Sequence, residues 1–316
     1  MTGGPGAVLV LGEALVDLVP AADDLLRADD GLLPADEDLL RAQPGGAPAN
    51  VAVGLARLGT PVCFAGGLGG DAFARTIERW LAGAGVDVSL CGRSSLPTAL
   101  AVADPGESGT SYRFHLQDTA TFRLPERAAD AARFGAVYVG GLAAVVEPAA
   151  EVVYATARAA ARHGLLAVDP NVREDRGLDR LRELCELAHV VKASDEDLAR
   201  LWPDADPDES GRRLAAGGRL VVLTRGARGS TAYAPGISPV SAAAAPVSVV
   251  NTIGAGDAFM AAVLGWLGRG GRWDLALTEE RAGEMLEFAS GVAASVVGRS
   301  GTERGVGVGV GVRVRW

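Results

Sequence analysis

The sequence predicts an α/β protein with a doubly wound, mostly parallel sheet sandwiched by helices and a small β-sheet lid. Three observations support this prediction. Short apolar runs typical of buried strands alternate with longer segments of helical periodicity along most of the 316 residues, as in parallel sheets covered by helices. The hydrophobic content of 48% is enough to bury a large core. Two polar, turn-rich regions, 16–43 and 89–124, interrupt the alternation.

Composition and charge exclude several classes of function. A net charge of −9 argues against binding to nucleic acids or anionic membranes, because those partners require a basic face. The cysteines at 63, 91 and 185 are scattered and odd in number, which indicates a reduced, cytoplasmic protein. The first apolar run contains Glu13 and Asp17 and follows no basic segment, so we interpret it as a strand and not a signal peptide. No apolar stretch reaches the ~18 residues of a membrane span.

Each element follows from local pattern. Buried strands are predicted at 7–11, 61–65, 136–139, 165–168, 190–191, 220–223 and 247–250. Helices are predicted at 50–58, 72–84, 148–161, 178–187, 209–216 and 279–297. Two more strands, 99–103 and 111–116, fall in the second polar region. A small sheet there would cover the strand ends, where open α/β sheets bind ligands; plain surface elaboration is the alternative.

Polar residues near the N-terminus are candidates for binding a sugar. Asp17 comes just past the first strand, where a carboxylate can accept hydrogen bonds from two vicinal hydroxyls, although an ordinary surface aspartate would look the same. Gly45 and Gly46 allow a ligand close to the backbone. Asn50 offers both a donor and an acceptor, and it could equally be a helix N-cap.

Three later strands also end in polar or glycine-rich runs. After the first, the run 169–173 (DPNVR) includes Arg173, which could steady a phosphate or the substrate. The run 192–197 (KASDED) offers acids for Mg²⁺-bound water, although we interpret its first two acids as helix capping. The run 224–229 (TRGARG) could wrap nucleotide phosphates. It does not have the Walker spacing.

The most informative run is 251–259, NTIGAGDAF, between an apolar run and a buried helix. A glycine turn that opens a helix presents unpaired N–H groups and the positive end of the helix dipole, so it is an anion site. Asp257 would repel a phosphate that is bound permanently. It makes sense beside a transient anion if the carboxylate takes a proton, as phosphoryl transfer to a hydroxyl requires. Tight packing and N-terminal capping are the alternatives.

Taken in order, these runs resemble the ribokinase-like (PfkB) sugar kinase family over about residues 7–300. One family signature is similar to 45–59 (GGAPANVAVGLARLG) and the other to 252–259 (TIGAGDAF). The resemblance implies a ribokinase-like kinase domain over 1–301, with lid segments at about 16–43 and 89–124, and a separate Gly-Val tail at 302–316. It also implies transfer of the γ-phosphoryl of ATP, with Mg²⁺, to a primary hydroxyl of a sugar.

The same resemblance assigns roles to individual residues. Asp257 becomes the general base, and the amides of Gly254, Ala255 and Gly256 form the anion hole. The residues implied in sugar binding are Asp17, Gly45, Gly46, Asn50, Arg113, Asn171 and Arg173. Those implied in nucleotide binding are Lys192, Ser194, Thr224, Gly226 and Gly229. Asp197 would contact magnesium through water, and Asn251 would lie at a monovalent-cation site.

The lid run 111–116 (SYRFHL), followed by Thr119 and Ala120, is most similar to bacterial fructokinases, which makes fructose the expected acceptor. The alternatives are another PfkB sugar kinase, in particular for 2-keto-3-deoxygluconate, whose carboxylate Arg113 or Arg173 could bind, and a catalytically weak sugar- or nucleotide-binding regulator. Asn251 replaces the family's usual aspartate, so K⁺ activation is expected to be weak. By analogy, a homodimer would form through the lid.

Overall fold

The computed structural model describes residues 3–20, 40–106, 109–248 and 254–298. The strands, in chain order, are β1 (Gly4–Leu11), β2 (Leu15–Pro20), β3 (Leu40–Gly45), β4 (Val62–Ala65), β5 (Gly67–Leu68), β6 (Gly92–Arg93), β7 (Leu100–Gly106), β8 (Gly109–His115), β9 (Phe134–Gly140), β10 (Leu165–Asp169), β11 (Val190–Ser194), β12 (Leu220–Thr224), β13 (Ser230–Tyr233) and β14 (Val240–Ala242). The α-helices are α1 (Ala47–Arg57), α2 (Ala72–Gly83), α3 (Ala149–His163), α4 (Leu178–Leu187), α5 (Asp195–Leu201), α6 (Pro207–Ala216), α7 (Ala255–Leu267) and α8 (Glu279–Val297).

The large sheet is mostly parallel. Its strand order is β14-β13-β12-β11-β10-β9-β1-β4. The strands from β12 to β4 pair in parallel, and β13 and β14 add an antiparallel edge. This arrangement confirms the predicted α/β class with a mostly parallel sheet.

Both faces of the large sheet are buried, which explains why its strands are continuous apolar runs in the sequence. On β1, Leu9 and Leu11 belong to one core, and Val8 and Val10 belong to the other. Helices α3 and α4 supply buried residues to the first core, whereas α1, α7 and α8 supply them to the second. The large sheet is thus the middle layer between two layers of helices.

A second sheet lies outside this sandwich, with strand order β3-β2-β7-β8. The chain enters it directly after β1 and leaves it through β3, which leads into α1. Its strands fall in the two polar regions and confirm the expected small separate sheet. We call it the lid sheet. The chain from β1 to the lid sheet passes through Glu13, where the structure places a buried carboxylate.

The structure differs from the predicted elements at one end of the sheet. The predicted strand 247–250 is wrong where it can be seen: residues 247 and 248 form no strand, and the rest lies outside the described residues. Just before it, the Ala245 amide donates to Ser290 Oγ at 2.7 Å, so a side chain of α8 takes a bond that a neighbouring strand would take. Strands β13 and β14 were not predicted, and helix α5 was expected only as the helix that the run 192–197 would cap.

Helix boundaries agree more closely. The predicted bounds of α4 and α8 coincide with the observed ones. Helix α6 begins two residues earlier than predicted, because Asp206 caps it by accepting from the Glu209 amide and Pro207 occupies the first turn. Among the described helices, none combines the length and the apolar character that crossing a membrane requires.

Candidate active site

Several of the predicted site residues follow strands that end at one edge of the large sheet. Because β1 and β9 to β12 run parallel, their carboxyl ends meet at the same edge. Strand β10 ends at Asp169, β11 at Ser194 and β12 at Thr224. The carboxyl edge is where ligands of open α/β sheets bind.

Helix α7 opens with the predicted glycine turn. Gly254 is its N-cap, with φ 78° and ψ 2°, a left-handed conformation that favours glycine. As a glycine, the N-cap residue supplies no side chain to cap the helix. The first amides of a helix have no intrahelical partner, so they and the helix dipole suit an anion. Asp257 lies in the first turn, beside these amides.

Asn50 fixes the position of Asp257. Its side-chain Nδ2 donates to Asp257 Oδ2 at 2.8 Å, across 207 residues of sequence. The contact is possible because α1 and α7 pack closely: a Cβ on Gly54 would lie 2.6 Å from the Cβ of Ala261. The alternative that Asn50 is a helix N-cap is wrong, since Gly46 occupies that position.

A buried ion pair lies next to the same helix start. Lys192 Nζ donates to Asp169 Oδ2 at 2.9 Å, and the two residues are 6% and 1% exposed. A Cβ on Gly256 would lie 3.0 Å from Lys192 Nζ, so the ammonium is close to the backbone of the glycine turn. Burial raises the pKa of Asp169 to about 6, while Lys192 opposes that effect. Burial works against the Lys192 charge, but Asp169, Asp197 and Asp257 together raise the pKa of Lys192.

The lid sheet and α1 bring three other predicted residues together. Asp17 lies on β2, and a Cβ on Gly45 would lie only 2.0 Å from its Oδ2. Gly46 follows with φ 103°, and a Cβ there would lie 2.7 Å from the backbone oxygen of Glu13. The two glycines therefore leave room for the Asp17 carboxylate and for the junction between lid and core.

Ser194 and Asp197 form a capping box at the start of α5. Asp197 Oδ2 accepts from the Ser194 amide at 2.8 Å and from its hydroxyl at 2.7 Å. Asp197 Oδ1 accepts from the Val172 amide at 2.8 Å. This carboxylate therefore fastens the loop after β10 to the start of α5, and its contact with magnesium stays a prediction. The capping pair is therefore Ser194 and Asp197, and not the predicted Asp195 and Glu196.

Two more predicted residues lie in the loop after β10. Asn171 has φ 41°, uncommon outside glycine, and its amide donates to Asp169 Oδ1 at 3.2 Å. Arg173 is exposed and lines a shallow cleft with Asn171, Gly141 and Leu142. Asn171 is thus tied to the buried ion pair, and Arg173 lies on the open side of the loop.

The glycine loop after β12 is closed by a backbone hydrogen bond. The Arg225 amide donates to the Gly229 carbonyl at 2.8 Å and closes the turn. Gly226 and Gly229 have φ 54° and 86°, and a Cβ on Gly229 would lie 2.2 Å from a backbone oxygen of β14. Thr224 ends β12 directly before this turn. The predicted nucleotide residues of this loop therefore lie in or beside one tight turn at the end of β12.

A family model described as "pfkB family carbohydrate kinase" matches residues 6–306. The chain belongs to the pfkB family of carbohydrate kinases. The fructokinase of Escherichia coli is 33% identical over 314 residues, which cover 93% of this chain and 94% of the relative. Membership in the family makes this pfkB protein an ATP-dependent sugar kinase.

Solved structures agree with the assignment to the pfkB fold. Fructokinase from Xylella fastidiosa with bound ATP has a TM-score of 0.82 and 26% identity, and the match covers 94% of each chain. Fructokinase from Vibrio cholerae O395 in its fructose, ADP and calcium ion bound form has a TM-score of 0.77 and 27% identity. That match covers 93% of this chain and 94% of the other.

The pfkB fold does not bring Arg113 to the other predicted sugar residues. Arg113 pairs with Val102, whereas its neighbour Phe114 pairs with Ala101, which in turn pairs with Asp17. Paired residues share a face of a sheet and successive residues alternate. Asp17 and Phe114 therefore lie on one face of the lid sheet, and Arg113 lies on the other face, where it is exposed.

Sequence reasoning missed two carboxylates of this pfkB site. Asp169 was the first residue of a noted run, but only its followers Asn171 and Arg173 were assigned a role; the signal was an acid that ends a buried strand. Glu13 is 2% exposed and accepts from the amides of Leu142 and Ala143 at 3.1 and 2.9 Å. Nothing local in the sequence shows that this glutamate is buried. Asn251 lies outside the described residues.

Proposed function

We propose that this pfkB kinase is a fructokinase, which transfers the γ-phosphoryl of ATP to the primary 6-hydroxyl of fructose. The relative from Escherichia coli and both compared structures are named fructokinases, and the Vibrio cholerae structure contains fructose and ADP. One structural observation supports phosphoryl transfer to a hydroxyl. Asp257 is held at 2.8 Å by Asn50 in the first turn of a helix whose start presents a glycine turn.

In this mechanism Asp257 takes the proton of the 6-hydroxyl as the hydroxyl oxygen attacks the γ-phosphorus. The new oxygen–phosphorus bond forms, and the bond from the γ-phosphorus to the β,γ-bridging oxygen breaks, so ADP leaves with that electron pair. A positioned general base contributes about 10²–10⁴-fold to the rate. Asn50 contributes by fixing the orientation of the carboxylate before the sugar arrives.

Backbone amides and one ammonium face the developing negative charge. The amides of Gly254, Ala255 and Gly256 and the Lys192 ammonium stabilise the transferred group, because fixed dipoles and charges in a buried site need little reorganisation. The other nucleotide contacts are assigned to Ser194, Thr224, Gly226 and Gly229.

A divalent cation, which we propose is Mg²⁺, would neutralise the β- and γ-phosphates when it is bound. No cluster of three or more His, Cys, Asp or Glu in the described part of the chain forms a metal cage. This fits Mg²⁺, which keeps its waters and binds through phosphates and one or two carboxylates. Asp197 would contact a metal-bound water. We propose that K⁺ activates only weakly, because Asn251 is neutral.

Asp17, Gly45, Gly46, Asn50 and Asn171 are assigned to the sugar. The alternative acceptor, 2-keto-3-deoxygluconate, needs a cation for its carboxylate. The placement of Arg113 on the opposite lid face weakens that alternative and leaves it with Arg173. The regulator alternative is disfavoured by the intact base and glycine turn.

Measuring ADP release with fructose, 2-keto-3-deoxygluconate and ribose tests the proposal, with ³¹P and ¹³C NMR to locate the new phosphate. We expect the highest kcat/KM with fructose and phosphate on O6. A preference for the acid sugar that Arg173→Ala abolishes would overturn the fructose assignment. ADP release with none of the sugars would support the regulator.

Two further proposals concern the setting of the enzyme. We propose a cytoplasmic location, supported by the unpaired thiols of Cys63, Cys91 and Cys185. We also propose that two copies associate through the lid sheet, which sedimentation velocity at micromolar concentration would test.

A further inference from the structure

The ion pair between Asp169 and Lys192 is unusual because both charged side chains are buried, although they lie near the carboxyl edge of the large sheet. They lie on neighbouring parallel strands, β10 and β11, and their side chains are 1% and 7% exposed. Removing an ammonium and a carboxylate from water costs several kcal/mol each, and their mutual attraction often does no more than compensate for that loss. Stability is therefore a weak reason for this pair.

The place where the ammonium is held suggests another reason. Lys192 Nζ is close to Gly256, at the start of α7. The start of a helix already carries a partial positive charge, so a cation beside it is unfavourable until an anion joins them. Ammonium and helix start are thus arranged for a shared anion, and the ammonium needs a partner while that anion is absent.

We propose that Asp169 is a positioning residue for phosphoryl transfer, which keeps Lys192 charged and directed at the Gly254–Gly256 turn. The inference rests on the proposed function, because the shared anion is the γ-phosphoryl of ATP. Asp169 needs no contact with ATP or sugar in this role. It acts through Lys192 alone.

The surroundings of the pair show why Asp169 is the partner that matters. Lys192 faces three carboxylates, those of Asp169, Asp197 and Asp257. The carboxylates of Asp197 and Asp257 accept from other groups, whereas Asp169 accepts from the Asn171 amide through Oδ1 and from the ammonium through Oδ2. The Lys192 ammonium donates its hydrogen bond to Asp169 Oδ2 at 2.9 Å.

Asp169 itself faces Lys192, Asp197, Asp257 and the buried Tyr138. The Tyr138 hydroxyl has no hydrogen-bond partner among the described residues. Burial, together with the nearby carboxylates, keeps its pKa well above its usual value, so it stays a neutral neighbour of the pair.

Without the Asp169 charge, only the smaller effects of Asp197 and Asp257 would oppose burial, so the pKa of Lys192 would fall. The Asp169→Asn enzyme should therefore lose the lysine charge as the pH rises. The wild-type enzyme should keep it, since the intact pair raises the pKa of Lys192. A purely structural aspartate would not produce this difference.

The experiment measures kcat with ATP and the best acceptor from pH 6 to 10 for four enzymes: wild type, Asp169→Asn, Lys192→Met and the double variant. We expect Lys192→Met to lower kcat by about 10²–10³-fold at every pH, as for the loss of one charge-stabilising donor. The ratio of kcat for Asp169→Asn to kcat for wild type should fall by at least about tenfold from pH 6.5 to 9, because each pH unit above the pKa of the lysine lowers its charged fraction about tenfold.

The double variant gives a test that does not depend on whether Asp169→Asn folds. Both charges of the pair are absent from the double variant, so neither is left buried without its partner. We expect its kcat to match that of Lys192→Met within about twofold, because effects of residues acting as a unit are not additive. A further tenfold loss in the double variant would overturn the proposal, because Asp169 would then act independently of Lys192. An Asp169→Asn profile parallel to wild type would also overturn it. Failure of the proposed function would look different, since wild type itself would then release no ADP.

Discussion

Replacing Glu13 with glutamine should change how the stability of the protein depends on pH. Glu13 is 2% exposed, and its carboxylate accepts from two amides of the loop after β9. Burial raises the pKa of Glu13 from 4.5 to about 7, although the amides of Ala143 and Leu142 oppose the rise. Asp257 adds a small further increase by charge repulsion.

The sign and size of the effect follow from this shift. Between pH 4.5 and about 7 the folded protein holds a proton on Glu13 that the unfolded chain has lost. The free energy of unfolding therefore falls as the pH rises through this window. Above about pH 7 the protonated Glu13 no longer contributes to stability. At 1.36 kcal/mol per unit, the loss is about 3 kcal/mol.

Glutamine at position 13 has no such titration. It keeps one acceptor oxygen but presents an NH₂ group to an amide, which costs about 1–3 kcal/mol at every pH. We expect the variant to have a lower free energy of unfolding than wild type at pH 5. Between pH 5 and pH 8 the wild-type advantage should decrease by about 3 kcal/mol, which removes or reverses it.

Urea unfolding followed by circular dichroism at pH 5, 6, 7 and 8 measures this difference, in which titrations common to both proteins cancel. Glu196→Gln makes the same chemical change at an exposed position and is the matched control. If the stability curves of wild type and Glu13→Gln run parallel across this range, the reasoning about a dehydrated carboxylate is refuted.

Three further predictions concern the site and the sheet. Asp257→Asn should lower kcat by about 10²–10⁴-fold while calorimetry still detects ATP and sugar binding; near-normal turnover would exclude it as the base. Gly45→Ala places a Cβ 2.0 Å from Asp17 Oδ2, so kcat/KM for the sugar should fall by roughly 10–100-fold. The control Gly83→Ala should leave kcat/KM unchanged, because a Cβ at position 83 meets only open space. Burial, aided by a nearby arginine, lowers the pKa of His189 below 6.5; stability should therefore fall as the pH drops below about 6.5, and His189→Gln should flatten that fall in urea titrations.

The sequence was sufficient to predict features that depend on residues close together along the chain. The bounds of α4 and α8 agreed with prediction because an apolar face repeats every turn of a helix. The glycine turn before Asp257 was recognised because glycine, a helix start and an acid are adjacent along the chain. Even so, an apolar run alone does not make a strand: at 247–248 the chain is irregular, and the Ala245 amide before it bonds to α8.

Only the tertiary structure decided which distant groups meet. Asn50 and Asp257 are 207 residues apart and touch because two helices pack closely at Gly54. The register of the lid sheet placed Arg113 on the face opposite Asp17, which depends on the pairing of three strands.

The burial of charged groups was likewise decided by packing. Glu13 and Asp169 look like ordinary acids at strand ends, yet each is almost fully enclosed. A sequence pattern tells which face of an element is apolar, but it does not tell which element will cover a polar residue. The proposed general base and anion turn are adjacent in one short run of residues, whereas the charged groups around them, Glu13, Asp169 and Lys192, come from separate parts of the chain and meet only in the folded protein.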